Sequence, residues 1–236
     1  MSERRFLVKD LSSDLIILED KEARHALKVL RLSQGQQVWL SDAQGTQAIA
    51  EIIATRPFTC QVIDRPVWSA PEPRITVCLG ICKAAALDWV LPKLSELAVD
   101  MIYLFKATRS VVPVNQAKLP RYVELTRQAI KQCSIPRAPG ISLQNNLSGC
   151  LKEKPKSALG LVAYEEEKNI YFKQVIPQKI QDIWCVIGPE GGLTAEEVQI
   201  CKNHGFQTCL LTSAIMRAET AALVVAGTLR CLLGTG

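Results

Sequence analysis

The chain has 236 residues, 48% of them hydrophobic and 22% charged, which is the balance of a folded globular protein rather than a disordered or fibrous one. Its length allows one large domain or two modest ones, each with a buried core. The formal net charge of +5 is small, so its distribution along the chain matters more than its value.

The apolar segments are too short to indicate a membrane protein. The first ten residues are charged and contain no apolar run typical of a signal peptide. The longest apolar stretch, 221–233, is shorter than a bilayer requires and contains Arg230. We therefore expect a cytoplasmic protein without a membrane segment.

The nine cysteines do not form a recognisable metal site. No CxxC pair occurs, and the chain has two histidines, whereas a zinc site needs about four ligands at regular spacing. Buried free thiols in a reducing compartment are the simplest interpretation. We expect no metal and no catalytic cysteine.

Up to about residue 65 the pattern is typical of short strands separated by turn signals. Strands are predicted at 15–18, 38–41, 48–53 and 60–63, and a short helix at 21–30. These elements predict a small β-rich domain in the form of a barrel. The following segment, 65–74, has three prolines in ten residues and is predicted to be a linker.

Beyond the linker, apolar strands alternate with helices. Strands are predicted at 74–81, 101–105, 158–163, 183–187 and 208–211, and helices at 87–97, 121–133, 195–204 and 219–233. Pro92 is expected near the first turn of its helix or at a kink. Because the strands are nearly continuous apolar runs, we expect a parallel sheet with helices on both faces.

The excess of positive charge lies in the middle of the chain. Residues 71–137 carry ten basic against five acidic residues, whereas the segments on either side are balanced. The excess concentrates between 106 and 137. A local basic surface favours a polyanionic partner such as a nucleic acid, and a solvated helix face is the alternative.

The segment 183–198, IWCVIGPEGGLTAEEV, joins an apolar strand to a helix through a glycine-rich turn. Thr194 and Glu197 form the pattern of a capping box, which sets the helix start. The glycines allow the backbone to turn tightly and approach a ligand at the carboxyl end of a strand. The motif matches neither a phosphate-binding loop nor a dinucleotide fingerprint. A generic strand-to-helix turn is the alternative to a ligand site.

The segment 210–227, LLTSAIMRAETAALVVAG, places Arg217 and Glu219 at the start of a strongly apolar helix. The helix dipole favours a carboxylate at this position. Ordinary helix-start chemistry is therefore the alternative to a catalytic role for the two residues.

Together these motifs resemble the C-terminal part of the SPOUT methyltransferases. GPEGGLT, followed by a leucine-containing loop and MRAETAAL, is similar to the family that methylates N3 of a uridine in bacterial small-subunit (16S) ribosomal RNA. Further likeness lies at 25–45, 83–99, 108–112 and 132–139, so that it covers nearly the whole chain.

The resemblance implies an α/β protein with two domains. Residues 1–68 would form a PUA-like β-barrel that binds RNA, and residues 74–236 a SPOUT domain with a deep trefoil knot, a feature that is exceptional among folds. The SPOUT domain would bind S-adenosylmethionine as methyl donor. The protein would act as a homodimer, with its C-terminal helix at the interface.

The resemblance also assigns residues to the site. The donor-binding residues would be Leu161, Ala163, Ile187, Gly188, Glu190, Gly191, Gly192, Leu211, Ile215, Met216 and Thr220. The residues that contact RNA would be His25, Arg31, Lys83, Arg109, Arg127, Lys131 and Arg137. For His25 a structural role is the alternative.

Methylation at N3 requires the nitrogen to lose or share its proton before it attacks the methyl group. Arg217 could stabilise the negative charge that develops on uracil, and Glu219 could orient that cation or relay the proton. The transfer also depends on in-line positioning, and the target uridine must be single-stranded or flipped out.

Five positions depart from the family pattern, namely Ala84, Thr108, Lys131, Thr212 and Ala214. The changes at 108 and 131 make the RNA face more basic, whereas those at 212 and 214 alter the donor loop. Two other functions therefore stay open. One is a SPOUT-type enzyme that methylates a 2′-hydroxyl or another base, and the other is a non-catalytic RNA-binding or ribosome-assembly protein of the same fold.

Overall fold

The computed structural model describes residues 4–234, which form two compact units. The first unit contains the residues up to Ser69 together with Arg127–Ala138, and the second contains Ala70–Thr126 and the residues from Pro139 onward. The predicted domains also include residues 1–3 and 235–236, which lie outside the described residues.

Residues 127–138 were assigned from the sequence to the C-terminal domain, but they pack with the first unit. The reason is a set of hydrogen bonds between this segment and residues 41–45, which are almost a hundred positions earlier in the sequence. The backbone N–H of Gly45 and the hydroxyl of Ser41 both donate to the carbonyl of Pro136, at 3.1 and 2.9 Å. The N–H of Ala138 donates to the carbonyl of Ala43 at 2.9 Å.

The first unit is built on a five-stranded sheet of mixed direction. Its strands are β1 (Arg5–Leu7), β2 (Leu15–Ile17), β3 (Gln37–Ser41), β4 (Gln47–Thr55) and β5 (Phe58–Asp64), in the order β1-β3-β4-β5-β2. Helix α1 (Asp20–Arg24) continues as a π-helical turn, His25–Val29. The predicted β-rich unit and its helix are confirmed, and β1 is a strand that the sequence pattern did not indicate.

The second unit is built on six parallel strands. They are β6 (Arg74–Gly80), β7 (Met101–Phe105), β8 (Gly140–Gln144), β9 (Leu159–Ala163), β10 (Asp182–Ile187) and β11 (Phe206–Cys209), in the order β11-β9-β10-β6-β7-β8. The helices are α2 (Ala84–Glu96), α3 (Leu119–Ile130), α4 (Leu147–Leu151), α5 (Phe172–Val175), α6 (Ala195–Asn203) and α7 (Ala218–Leu233). Of these, β8, α4 and α5 were not predicted. The residues of α3 from Arg127 onward belong to the first unit.

Alternate residues of the central strands enter two different apolar cores. Cys185 of β10 packs in a cluster with residues of α2 and α7, whereas its neighbours Trp184 and Val186 pack in a cluster with residues of α4 and α6. Side chains of a strand point alternately to its two faces, so both faces of the sheet are covered. The predicted parallel sheet between two helix layers is confirmed.

Three smaller predictions can be compared with the structure. Pro92 lies inside α2 rather than in its first turn. Seven of the nine cysteines are buried, as expected. Within residues 4–234, no helix is both long and apolar enough to cross a bilayer.

Arg230 of α7 fastens the C-terminal helix to the start of the second unit. Its guanidinium donates to the carbonyls of Leu97 at 3.0 Å and Ala98 at 2.6 Å, and to those of Pro71 at 3.0 Å and Pro73 at 2.6 Å. Asp100 lies 3.5 Å away as a counter-ion, and both side chains are nearly buried. The arginine thereby satisfies carbonyl groups at the end of α2 and before β6.

We expect Arg230→Ala to lower the free energy of unfolding by about 3 kcal/mol, because it removes the donor of four carbonyls and the positive charge beside the nearly buried Asp100. Urea denaturation of the purified protein measures this loss. Arg121→Ala is the control, since Arg121 forms an exposed ion pair with Asp88 and its loss should cost about 1 kcal/mol or less. Equal losses for the two variants would contradict the assignment.

Candidate functional site

A cavity of about 380 Å³ opens beyond the carboxyl ends of β9 and β10. It is lined by residues 163–165, 187–190, 192 and 210–218, together with Ala221. These residues belong to the loops that follow β9, β10 and β11 and to the start of α7. Because parallel strands end at the same edge of a sheet, their loops meet there, which is where ligands bind in open α/β folds.

The glycine loop, residues 188–193, is packed backbone against backbone. A Cβ at Gly188 would lie 2.9 Å from the carbonyl carbon of Gly192, and one at Gly80 would lie 2.5 Å from the nitrogen of Pro189. Gly192 has φ +72°, and a Cβ there would meet Glu165 Oε1 at 2.3 Å. Real Cβ atoms do not approach this closely, so the loop needs glycine at these positions.

A capping box holds the end of the glycine loop to α6. The hydroxyl of Thr194 accepts a hydrogen bond from the Glu197 N–H at 3.2 Å, and Glu197 Oε2 accepts one from the Thr194 N–H at 2.9 Å. This confirms the predicted helix start. The other oxygen of the buried Glu197 accepts from the Thr108 N–H at 2.8 Å, so the same carboxylate also holds the turn after β7.

Arg109 lies against the outside of the glycine loop. Its Nη1 donates to the carbonyls of Gly191 at 3.2 Å and Leu193 at 3.4 Å. A Cβ at Gly191 would lie 2.9 Å from the Cβ of Arg109. The side chain of Arg109, which was predicted to contact RNA, is therefore hydrogen-bonded to the glycine loop.

Glu190 joins the glycine loop to the first strand–helix unit. Its Oε1 accepts a hydrogen bond from the backbone N–H of Lys83, the N-cap of α2, at 3.0 Å. A helix N-terminus favours an anion, so this carboxylate is held in place beside the cavity. The side chain of Lys83, which was predicted to contact RNA, is exposed.

Cys82, next to Glu190, is not a nucleophile. Burial raises the pKa of its thiol to about 12, and the negative charges of Glu190 and Glu219 act in the same direction. The thiol therefore stays protonated at neutral pH, and it donates to the Gly80 carbonyl at 3.1 Å.

Arg217 and Glu219 are not brought together as a pair. Arg217 is the exposed N-cap of α7 and lines the cavity. Glu219 does not line it, and its Oε2 is buried without a hydrogen-bond partner. Among residues 4–234 no ion pair joins the two, because residues two apart at a helix start point in different directions.

Eight of the predicted donor-binding residues line the cavity. They are Ala163, Ile187, Gly188, Glu190, Gly192, Leu211, Ile215 and Met216. Leu161 does not, because it is buried in the middle of β9. Gly191 faces Arg109 instead, and Thr220 is exposed on α7.

The loop after β9 contributes two cavity residues that the sequence analysis did not name, Tyr164 and Glu165. Tyr164 donates its hydroxyl to Glu166 at 2.7 Å, and this hydrogen bond raises its pKa. The phenol is therefore neutral at physiological pH. The signal that could have identified this loop is the position of an acidic run directly after a buried strand.

The departures at 212 and 214 form a local turn. The hydroxyl of Thr212 accepts from the Ala214 N–H at 3.2 Å and donates to the Ala214 carbonyl at 3.0 Å. Both residues line the cavity. A loop that lacks the usual glycine is thus closed by a side-chain bond.

The first unit contains a basic cavity of about 640 Å³. Within the described part of the chain, its charged lining consists of Glu22 and six basic residues, namely Arg4, Arg5, Lys21, Arg24, Lys28 and Lys131. His25 also lines it. Glu22 forms a nearly buried ion pair with Lys131. The sequence analysis missed most of this cluster, because residues 1–70 are balanced in total charge.

The predicted RNA-binding residues are divided between the two units. His25 and Lys131 line the basic cavity, and Arg31, Arg127 and Arg137 belong to the same unit. Lys83 and Arg109 belong to the second unit. Of the residues that carry the charge excess over 106–137, those up to Thr126 belong to the second unit and those from Arg127 onward to the first.

The chain resembles known RNA methyltransferases along most of its length. Residues 70–230 match the model of the RNA methyltransferase domain, and residues 18–63 match that of the RNA methyltransferase PUA domain. The chain is 27% identical over 216 residues to Ribosomal RNA small subunit methyltransferase E of Bacillus subtilis, which covers 86% of this chain and 84% of the relative.

Solved structures show the same fold. A probable rRNA-methyltransferase from Porphyromonas gingivalis is 28% identical with a TM-score of 0.86, over 97% of this chain and 98% of that one. Ribosomal RNA small subunit methyltransferase E from Neisseria gonorrhoeae, bound to S-adenosyl methionine, is 24% identical with a TM-score of 0.88, over 98% of each chain. The predicted PUA-like and SPOUT-type fold is confirmed, and the trefoil knot stays a prediction.

We expect Gly188→Ala to lower the free energy of unfolding by about 2 kcal/mol, because the new methyl group meets backbone atoms that cannot rotate away. Gly149→Ala is the control. Gly149 lies in α4, and its Cβ would meet the flexible end of the Gln144 side chain. That variant should be neutral or slightly stabilised. Urea denaturation compares them, and an unaffected Gly188→Ala variant would contradict the packing described here.

Proposed function

Since the chain belongs to the RNA methyltransferase domain family, we propose that it methylates N3 of a uridine in 16S ribosomal RNA, with S-adenosylmethionine as methyl donor. The observation that carries the proposal is the cavity beyond β9 and β10, in which a close-packed glycine loop and Arg217 meet. The relative from Bacillus subtilis is a ribosomal RNA small subunit methyltransferase.

The cavity fits the donor in size and in chemistry. Its volume of about 380 Å³ is within the range of small-molecule sites. Ile187, Leu211 and Met216 supply apolar walls, and Glu165 and Glu190 supply negative charge for a ligand that is itself cationic. When bound, S-adenosylmethionine supplies an electrophilic methyl group on a positively charged sulfur.

Arg217 is the residue that we assign to the reaction. Arg217 lines the cavity, and a cation there would stabilise the negative charge that develops on uracil as N3 loses its proton. Glu219 lies close enough to Cys82 to raise the pKa of that thiol. We therefore assign Glu219 to the packing around the start of α7, rather than to the orientation of Arg217.

The basic cavity of the first unit is our candidate for holding the RNA. Lysine and arginine side chains there can contact phosphate groups, which fix the RNA without reading its sequence. Residues 1–68 would thus hold the substrate, and residues 74–236 would carry out the transfer. The target base must leave its stack to reach the donor.

Three further features belong to the same proposal. A homodimer is supported by the apolar side chains that α7 leaves uncovered, with Leu232 60% exposed and Leu223 and Val224 half-buried. A cytoplasmic location follows from a ribosomal RNA substrate. The deep trefoil knot would bring the loops after β9, β10 and β11 to one site.

The decisive experiment is incubation of the protein with labelled S-adenosylmethionine and small ribosomal subunits that lack native methylation, followed by nucleoside mass spectrometry. We expect 3-methyluridine. A 2′-O-methylated or other methylated nucleoside would indicate a different RNA methyltransferase. Donor binding without any labelled product, or no donor binding at all, would contradict the proposal and favour an RNA-binding protein.

In the same assay, Arg217→Ala should lower turnover by about 100-fold or more, because one electrostatic contact to the transition state is lost. Its affinity for the donor, measured by calorimetry, should change little. Lys202→Ala is the control, since Lys202 is exposed on α6 and outside the cavity. Unchanged turnover in Arg217→Ala would remove this residue from the mechanism.

The basic cavity gives a separate prediction. The double variant Arg24→Ala/Lys28→Ala should bind RNA about tenfold more weakly. The negative slope of log K against log salt should become smaller in magnitude by about 2, since two phosphate contacts are lost. Lys9→Ala/Arg56→Ala removes the same charges from exposed positions outside the cavity. If both double variants behaved alike, RNA binding would not depend on this cavity.

A further inference from the structure

We propose that Arg109 is a positioning residue of the methyl-donor site and not a ligand of RNA. The inference rests on the proposed function, since it assigns a role to a residue beside the donor cavity. Its guanidinium would hold the glycine loop in the shape that binds the donor.

The side chain of Arg109 contacts the glycine loop on both sides of Gly192. One nitrogen of Arg109 serves the carbonyls of both Gly191 and Leu193, at 3.2 and 3.4 Å. The two carbonyls flank Gly192, whose φ of +72° makes it the residue of the glycine loop with a left-handed backbone. Hydrogen bonds from a charged donor are stronger than neutral ones, so Arg109 fixes the loop on both sides of this residue.

The turn that carries Arg109, residues 107–110, is itself anchored by hydrogen bonds. The Thr108 N–H donates to the buried Glu197 at 2.8 Å. Within the turn, the Ala107 N–H donates to the Ser110 hydroxyl at 3.1 Å, and the Ser110 N–H donates to the Ala107 carbonyl at 3.0 Å. The exposed side chain of Arg109 therefore extends from a backbone that is held in place.

The charged groups of Arg109 and Glu165 both lie close to Gly192. The Glu165 carboxylate lies over Gly192 on the cavity side, and Nη1 of Arg109 lies 3.8 Å from the point that a Gly192 Cβ would occupy. Arg109 thus places a positive charge behind a carboxylate that lines the donor cavity. An RNA phosphate at Arg109 would have to compete with the loop carbonyls for the same guanidinium.

The test measures donor affinity, RNA affinity and loop protection separately. For Arg109→Ala we expect the dissociation constant of S-adenosylmethionine, measured by calorimetry without RNA, to rise about tenfold, the effect of one lost charge-assisted hydrogen bond. Hydrogen exchange of a peptide covering 188–194 should become faster by a similar factor. RNA affinity and its salt slope should stay within about twofold of wild type.

Two further variants make the result specific. Arg109→Lys keeps the charge with a single donor group and should recover part of the donor affinity. Arg74→Ala is the matched control, because Arg74 also forms a charged contact between two strands, with Asp182, but at the amino ends of β6 and β10. It should leave donor affinity and the exchange of the glycine loop unchanged.

Each remaining outcome counts against the inference or against its premise. Unchanged donor affinity and loop exchange in Arg109→Ala would overturn it, and a fall in RNA affinity with a smaller salt slope would restore Arg109 as an RNA ligand. If Arg109→Ala does not fold, Arg109→Lys with intact stability and wild-type donor affinity would overturn it equally. A wild-type protein that binds no donor would refute the proposed function, whereas the exchange measurement would still test the support of the loop.

Discussion

The site depends on one packing constraint, which is that the loops after neighbouring parallel strands approach more closely than side chains allow. β6 and β10 are paired in register as far as Leu79 and Ile187, and a Cβ at the next residue of either strand, Gly80 or Gly188, would meet backbone atoms of the glycine loop. A methyl group at either glycine would separate the strand ends from the glycine loop. Because Glu190 reaches Lys83 from within that loop, the same displacement would also detach the loop from α2 and open the cavity wall.

Charge is distributed between the two units in the way that the proposed chemistry requires. The donor is a cation, and its cavity carries carboxylates in its wall with one arginine at the start of α7. The substrate is a polyanion, and the cavity of the first unit is lined mainly by lysine and arginine. Each ligand thus meets a surface of opposite charge. The nearly buried pair of Glu22 with Lys131 reduces the positive charge of the basic cavity at one position.

Regular patterns could be predicted from the sequence, and contacts between distant residues could not. The strand Met101–Phe105 was predicted with its observed bounds, because a buried parallel strand is an uninterrupted apolar run. The capping box at Thr194 is equally local. In contrast, β1 and β8 are short strands that are stabilised by their neighbours. The basic cavity collects residues from 4 to 132, and in a local count along the sequence their positive charges are balanced by acidic residues outside the cavity. Arg217 and Glu219 are close in the sequence, but no ion pair joins them among residues 4–234, because residues two apart at a helix start point in different directions.

The return of residues 127–138 to the first unit has a consequence for biosynthesis. Ser41, Ala43 and Gly45 find their hydrogen-bond partners at Pro136 and Ala138, almost a hundred residues later in the chain. A ribosome that has released residues 1–69 has therefore not yet supplied all of the first unit. Its folding can finish only after residue 138 has emerged, when part of the second unit has already been made. The two units are thus not successive folding modules, and a gene fragment that ends at the linker would encode an incomplete first unit.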